Sequence, residues 1–200
     1  MEASSHALIL FVRKPVLGKV KTRLASSIGE EKALEVYKFL LRHTHAITAD
    51  LTYTKYVYYA DEVVDGDLWD SGNFIKRVQT GHDLGERMLN AFKDAFDEGH
   101  SHVVIIGSDC HELDTAMIST AFNCLSQHKV VIGPARDGGY YLLGLRELIP
   151  QIFYNKNWST SSVCTDTLAD VVTLNLSYTL LPILYDVDEA ADLERSKILL

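Results

Sequence analysis

Two kinds of chemistry-bearing stretch stand apart in this sequence, one basic and one rich in carboxylates. The basic one reads Arg13-Lys14-Pro15-Val16-Leu17-Gly18-Lys19-Val20-Lys21-Thr22-Arg23-Leu24, five cations in a window with no acid between Glu2 and Glu30. In a chain of formal charge −8 such a run is out of keeping with its surroundings. Phosphate binding accounts for it. Lysine and arginine make charge-assisted hydrogen bonds to phosphate, and Gly18 lets backbone approach a ligand. Lys19, Lys21 and Arg23 alternate, so an extended segment would aim them to one side. A solvated surface loop explains the same letters, because lysines are ordinarily exposed. The pattern is neither G-x-x-x-x-G-K-[ST] nor G-x-G-x-x-G, so it is not a Walker A loop or a dinucleotide fingerprint.

The carboxylates lie in Gly107-Ser108-Asp109-Cys110-His111-Glu112-Leu113 and in Tyr185-Asp186-Val187-Asp188-Glu189. An acid straight after a buried strand is placed to hold Mg²⁺ or Mn²⁺, which prefer oxygen ligands. Asp186 and Asp188 are two apart and share a face if extended. Together with Asp109 they make a candidate metal set, although each of these acids also suits a turn or helix cap. In Arg136-Asp137-Gly138-Gly139-Tyr140-Tyr141, two glycines allow close approach of a substrate, and Asp137 could hold a sugar hydroxyl or act as a base. A plain hairpin turn fits the same residues. In Gln79-Thr80-Gly81-His82-Asp83-Leu84-Gly85-Glu86-Arg87-Met88, Arg87 or Gln79 is a further candidate to reach the ligand, and Gly85 can serve simply to start a helix. Cys110 and His111 are adjacent and rarely face each other, which disfavours a thiol nucleophile. His43 and His45 diverge on a helix and read as surface or packing residues.

These stretches need a scaffold that places them at the ends of strands, and the hydrophobic pattern supplies one. Ala7 to Val12 is a continuous apolar run, as a strand buried on both faces should be. Helical spacing over Glu30 to Asp50 aligns Ala33, Tyr37, Leu40, Leu41, Thr44 and Ile47. Strands are predicted at Tyr53 to Ala60, Phe74 to Gln79, His102 to Ile106, Val130 to Gly133 and Tyr140 to Leu145. Helices are predicted at Gly85 to Glu98, after an Asp114 cap, at Thr160 to Val172 and at Glu189 to Leu200. Tyr178 to Tyr185 reads as a strand that Pro182 demotes to an edge or a bend. Strand and helix alternating in this way predict a three-layer α/β/α sandwich with a mainly parallel, Rossmann-like mixed sheet. Ligands in such sheets bind beyond the carboxyl ends of the strands.

Composition narrows the class. Two hundred residues fit a single domain over 1–200, and no linker or repeat divides them. The hydrophobic fraction of 47% and charged fraction of 23% exclude intrinsic disorder. Twenty-seven acids against nineteen bases disfavour a nucleic-acid partner. Three scattered cysteines without C-x-x-C spacing suit a reducing cytoplasm and offer no zinc ribbon. No apolar run approaches the roughly 20 residues of a membrane span, and Met1 to Ser5 carry no basic leader. The expectation is a cytoplasmic enzyme or binding domain. Trp69 and Trp158 are read as exposed aromatics for an interface or the site.

The motifs occur in order as Phe11-x-Arg13-x-Pro15-x-x-Gly18-x-Val20-Lys21-Thr22-Arg23-Leu24, Asp83-Leu84-Gly85-x-Arg87-Met88, Gly107-Ser108-Asp109-Cys110, Ala135-Arg136-Asp137-Gly138-Gly139-Tyr140-Tyr141-Leu142-x-Gly144, Trp158-Ser159-Thr160 and Asp186-Val187-Asp188. Across nearly the whole chain the series resembles a bacterial family of small glycosyltransferase-like proteins with the GT-A, nucleotide-diphospho-sugar transferase fold. The resemblance implies a metal-dependent transferase that uses a nucleotide-diphosphate sugar and a small-molecule acceptor. It implies Mg²⁺ or Mn²⁺ on Asp109 with Asp186 or Asp188, and it strengthens phosphate binding by Lys21 and Arg23, beside which Arg13, Lys14, Gly18, Lys19 and Arg87 are the residues read as phosphate contacts. Lys21 and Arg23 would stabilise the growing negative charge, Asp137 would act on the acceptor, and Gly138, Gly139, Tyr140 and Trp158 would contact substrate. Two positions depart from the family pattern: His111 stands where proline is usual, and Glu189 where threonine is usual. The 2-phospholactate and molybdenum-cofactor guanylyltransferases are similar in their first loop. They keep open a second reading, nucleotidyl transfer from a nucleoside triphosphate, beside a third, a non-catalytic nucleotide-binding module.

Overall fold

The structure is a computed structural model that describes residues 5–70 and 73–198. Strands β1 (His6–Val12), β2 (Thr54–Tyr59), β3 (Phe74–Val78), β4 (His102–Ile106), β5 (Val130–Pro134), β6 (Tyr140–Leu145) and β7 (Tyr178–Leu180) form one sheet in the order β3-β2-β1-β4-β6-β5-β7. All neighbouring pairs are parallel except those of β6, which runs antiparallel to both β4 and β5. The mainly parallel mixed sheet expected from the pattern is therefore present. The order turns outward in opposite directions from the β1–β4 boundary, and the crevice opens at such a switch point.

β1 shows why the middle layer is continuous apolar sequence. Leu8, Leu10 and Val12 pack with Tyr37 and Leu41 of α2 (Glu30–Thr48) and Ile118 and Phe122 of α4 (Thr115–Leu125). Their neighbours Ala7 and Ile9 point the other way, toward Met88 and Phe92 of α3 (Leu84–Asp97) and Val171 of α5 (Val163–Thr173). Both faces are covered, so alternation of polar and apolar residues would have left a buried polar row. Asp114 caps α4 as expected, its carboxylate accepting from the Met117 amide at 2.7 Å. Asp83 caps α3 in the same way through Glu86, at 2.8 Å.

Two segments differ from the sequence pattern. The basic loop is not extended: a turn at 16–19 closes with the Lys19 amide donating to the Val16 carbonyl, and α1 (Thr22–Ile28) follows. Gly18 serves that turn at φ +72°, with the Glu30 carboxylate packed beside it. The carboxy-terminal strand stops at Leu180 because Pro182 has no amide to donate. Pairing resumes beyond it, where Leu184 donates to the Pro134 carbonyl. β7 is an edge strand, as the proline required. The closing helix α6 covers Ala190–Ser196, and Leu199 and Leu200 of the predicted span lie outside the described residues. Among the described residues no helix is long and apolar enough to cross a membrane.

Candidate active site

A cleft of about 880 Å³ opens above the carboxyl ends of β1 and β4. Tyr37 fastens the two strand ends together. Its hydroxyl accepts from the Arg13 amide at 2.8 Å, donates to the Arg13 carbonyl at 3.2 Å and lies 3.5 Å from the Ser108 hydroxyl. Sequence periodicity placed Tyr37 only on the apolar face of its helix. The missed signal was its hydroxyl, since a buried tyrosine almost always finds a polar partner.

The carboxy-terminal acids are held by the residue between them. Val187 is buried with Leu24, Val36 and Leu40, and its amide donates to the Asp109 carbonyl at 3.0 Å. That single pairing brings residues 109 and 188 to the same wall. Asp186 and Asp188 both line the cleft. The Asp192 carboxylate receives the amides of Asp188 and Glu189 at 3.2 and 3.0 Å, which fixes the segment at the start of α6. Glu189, the departure from the family pattern, belongs to that capping box.

Lys21 sits at the centre. It takes a left-handed backbone conformation, φ 48° and ψ 44°, at the start of α1, which is uncommon for a residue with a side chain. Its ammonium lies 2.6 Å from Asp109 Oδ1 and 2.8 Å from Asp188 Oδ1, with only 4% of the side chain exposed. Arg23 meets the other oxygen of Asp188 at 2.7 Å from an exposed position. Burial alone would lower the Lys21 ammonium, but the charges and hydrogen bonds of Asp109 and Asp188 outweigh it and raise it. Burial would raise the Asp188 carboxyl, and Lys21 and Arg23 instead hold it below its ordinary value.

Asp186 has no such cation. Burial, then the nearby charges of Asp109, Asp137 and Asp188, push its carboxyl up to about 7 against the lowering effect of Lys21. The fold therefore retains this proton to higher pH than the unfolded chain does. The resulting stabilisation is full below about pH 4 and is lost as pH rises through 7. In metal-free protein, Asp186→Asn cannot ionise and is expected to melt above wild type at pH 8, by on the order of 2 kcal/mol, while matching it at pH 4. Equal melting at pH 8 would contradict the assignment.

The other candidates divide. Arg13, Lys19, Arg87, Asp137, Gly139, Tyr140 and Trp158 line the cleft with Lys21 and Arg23. Lys14 and Gly18 do not: Lys14 pairs with Glu62 at 2.8 Å on an exposed surface, and Gly18 shapes the preceding turn. Gly138 also stands outside the lining and has a structural task. Its carbonyl accepts from the Cys164 amide at 2.9 Å, and a Cβ there would lie 2.0 Å from the Ser161 carbonyl oxygen. Asp137 accepts from the Gly139 amide at 2.9 Å, the interaction of a hairpin turn. Trp158 presses against Gly85, where a Cβ would meet the indole at 2.3 Å. Trp69, read as exposed, is buried against Phe74 and His45 instead. His43 and His45 are packing residues as read: His43 bonds the Leu113 carbonyl and contacts the ring of His111.

Among the described residues no three acidic, histidine or cysteine side chains converge closely enough to hold a metal ion. Asp109 and Asp188 are joined on one cation, and Asp186 does not complete a three-acid cage with them. The arrangement still fits Mg²⁺ or Mn²⁺ in one respect. Mg²⁺ is commonly held by one or two carboxylates together with substrate phosphates, and Asp109 and Asp188, whose Oδ1 atoms lie 2.6 and 2.8 Å from one nitrogen, are such a converged pair.

Comparison with known proteins places the chain. Residues 43–160 match the family described as uncharacterized proteins conserved in bacteria, DUF2064. The chain belongs to this family. A crystal structure from Desulfovibrio desulfuricans G20, of a protein provisionally assigned as a nucleotide-diphospho-sugar transferase, superposes with a TM-score of 0.88 at 34% identity, covering 95% of this chain and 85% of that one. CMP:2-keto-3-deoxy-manno-octonic acid synthetase complexed with CTP shares the fold, with a TM-score of 0.57 and 10% identity over 96% of each chain. Rv0371c from Mycobacterium tuberculosis H37Rv in complex with manganese does so with a TM-score of 0.51 and 11% identity over 96% of each chain. The comparison with curated proteins finds no match. The DUF2064 match spans the strands that carry Asp109 and Asp137, and this family member has the nucleotide-diphospho-sugar transferase-like fold expected from its motifs.

Proposed function

We propose that this family member is a divalent-cation-dependent transferase that takes a glycosyl group from a nucleotide-diphosphate sugar to a small-molecule acceptor. The observation that carries the reading is the buried Lys21 ammonium held between Asp109 and Asp188, with Arg13, Lys19 and Arg23 lining the same cleft. Clustered cations facing a pair of carboxylates are the complementary halves of a site for a metal-bound diphosphate. The D. desulfuricans protein, provisionally assigned to the same class, supports the choice of donor.

Asp109 and Asp188 would hold Mg²⁺ or Mn²⁺, which supplies Lewis-acid stabilisation of the leaving diphosphate. Lys21 and Arg23 bind the phosphate oxygens on which negative charge grows as the glycosidic bond breaks, typically the largest electrostatic contribution to such catalysis. Arg13 and Lys19 extend that positive wall toward the rest of the nucleotide. Trp158, backed by Gly85, gives the cleft a flat apolar face, suited to a sugar ring. Asp137, on the tip of the β5–β6 hairpin, orients an acceptor hydroxyl or takes its proton.

A second reading, nucleotidyl transfer with release of pyrophosphate, is favoured by the four loop cations, Arg13, Lys19, Lys21 and Arg23, that line the cleft. Likeness of the fold to a CTP-bound synthetase supports it. A thermal-shift screen of nucleoside triphosphates and nucleotide sugars, with and without Mn²⁺, followed by product analysis, separates the readings. Glycosyl transfer is expected to leave free nucleoside diphosphate from a sugar nucleotide. Pyrophosphate from a triphosphate selects the second reading, and Mn²⁺-independent binding without turnover of any donor overturns both.

A further inference from the structure

The Lys21 bridge has a steric corollary. Asp109 Oδ1 and Asp188 Oδ1 each lie within one hydrogen bond of the same nitrogen, 2.6 and 2.8 Å away. An ion coordinating both oxygens, at about 2.1 Å for Mg²⁺, needs the volume that this nitrogen fills. Ammonium and metal therefore exclude each other. The ammonium cannot simply withdraw, because its side chain is 4% exposed and both of its charge partners lie at this spot. It needs another anion to receive it, and the adjoining cleft, lined by Arg13, Lys19 and Arg23, is where an incoming phosphate would bring one.

We propose that Lys21 is an internal stand-in for the divalent ion, and that metal binds tightly only when a phosphate group draws Lys21 away from Asp109 and Asp188. In the nucleotide-free protein the ammonium keeps the two carboxylates converged and partly neutralised. Arrival of the pyrophosphate group transfers the ammonium to phosphate oxygens and frees both carboxylates for the metal. The apparent metal affinity of the free protein is lowered by the small fraction of molecules in which Lys21 has left. Linkage makes the coupling reciprocal, so metal strengthens phosphate binding by the same factor. The inference rests on the proposed use of the cleft for a pyrophosphate group, but its central comparison does not need a nucleotide.

The test is equilibrium ultrafiltration with Mn²⁺, counting metal retained by the protein. Wild type and Lys21→Arg are expected to bind Mn²⁺ alone weakly. Lys21→Met is expected to bind it about tenfold more tightly or better, because the competing cation is gone. Adding inorganic pyrophosphate is expected to tighten retention about tenfold in wild type and far less in Lys21→Met. Equal Mn²⁺ affinity in wild type and Lys21→Met overturns the proposal. If a melting curve shows Lys21→Met unfolded, Lys21→Gln takes its place with the same expectation. Wild-type protein that binds Mn²⁺ as tightly without pyrophosphate as with it overturns the proposal with no variant at all. A nucleotide screen with no response would instead remove the functional reading and leave the comparison with Mn²⁺ alone standing.

Discussion

Asp109→Ala is expected to reduce transferase turnover by about 10²-fold or more and to remove the Mn²⁺-dependent component of nucleotide binding in a calorimeter. The acid does two things at once. It neutralises Lys21 from one side, and it stands directly after β4, where a metal on the diphosphate would need an oxygen. The fold should survive, because the Asp109 side chain is 46% exposed and Lys21 keeps its 2.8 Å contact to Asp188. A melting curve close to wild type, with binding lost, is the expected pair of results. Unchanged nucleotide affinity in the presence of Mn²⁺ would remove Asp109 from the site. Asp137→Ala makes a useful contrast, since its main visible contact is with its own hairpin at the Gly139 amide.

Gly138→Ala is expected to have the largest structural effect of any single methyl addition near the cleft. The residue has φ +93°, and a Cβ would lie 2.0 Å from the backbone oxygen of Ser161, which no rotamer change relieves. The Gly138 carbonyl also anchors the Cys164 amide near the start of α5, so the hairpin tip and the 158–163 segment move together or separate. A cost of about 3 kcal/mol combines backbone strain with the steric clash, a fall in melting temperature on the order of 9 °C. Gly66→Ala supplies the control. Its φ is +71°, but nothing lies within 4 Å of the added carbon, so only the strain remains. Its cost is about 1 kcal/mol. Equal destabilisation of the two variants would show that the hairpin tip is not packed as described. Activity should fall further in Gly138→Ala than stability alone explains, because Asp137 and Tyr140 flank the displaced position.

Much of this arrangement is readable from residue types, for identifiable reasons. Strands such as Ala7–Val12 and His102–Ile106 are buried on both faces, and burial on two faces writes a continuous apolar run whose shortness and β-branched residues separate it from a buried helix. The carboxyl-end rule then puts the 13–24 loop and Asp109 at one crevice without knowledge of any side-chain contact. The geometry of the basic loop was not readable. Alternation of Lys19, Lys21 and Arg23 implied an extended segment, but Gly18 turns the chain and Thr22 begins a helix, so Lys21 reaches the carboxylates through a left-handed backbone and not through period-two spacing.

Long-range contacts mark the same boundary. Nothing in Asp186-Val187-Asp188 shows that Val187 would sink beside Leu24 and Leu40 and tie its amide to residue 109, because a one-residue anchor carries no periodicity. The same holds for Trp69, which is buried against His45 of a distant helix and Phe74 of β3. Gly138 and Gly139 look alike in sequence, and only the approach of Ser161 distinguishes the structural one from the one that lines the cleft.

One measurement bears most directly on how basic loop and distant acids cooperate: anomalous scattering from crystals grown with Mn²⁺ and the nucleotide that most raises the melting temperature. The expected map has a manganese peak in direct contact with carboxylate oxygens of Asp109 and Asp188, with phosphate oxygens on the Lys21 and Arg23 side of it. A nucleotide bound in the cleft with its phosphates turned away from that wall, or a manganese peak remote from both aspartates, would contradict the account.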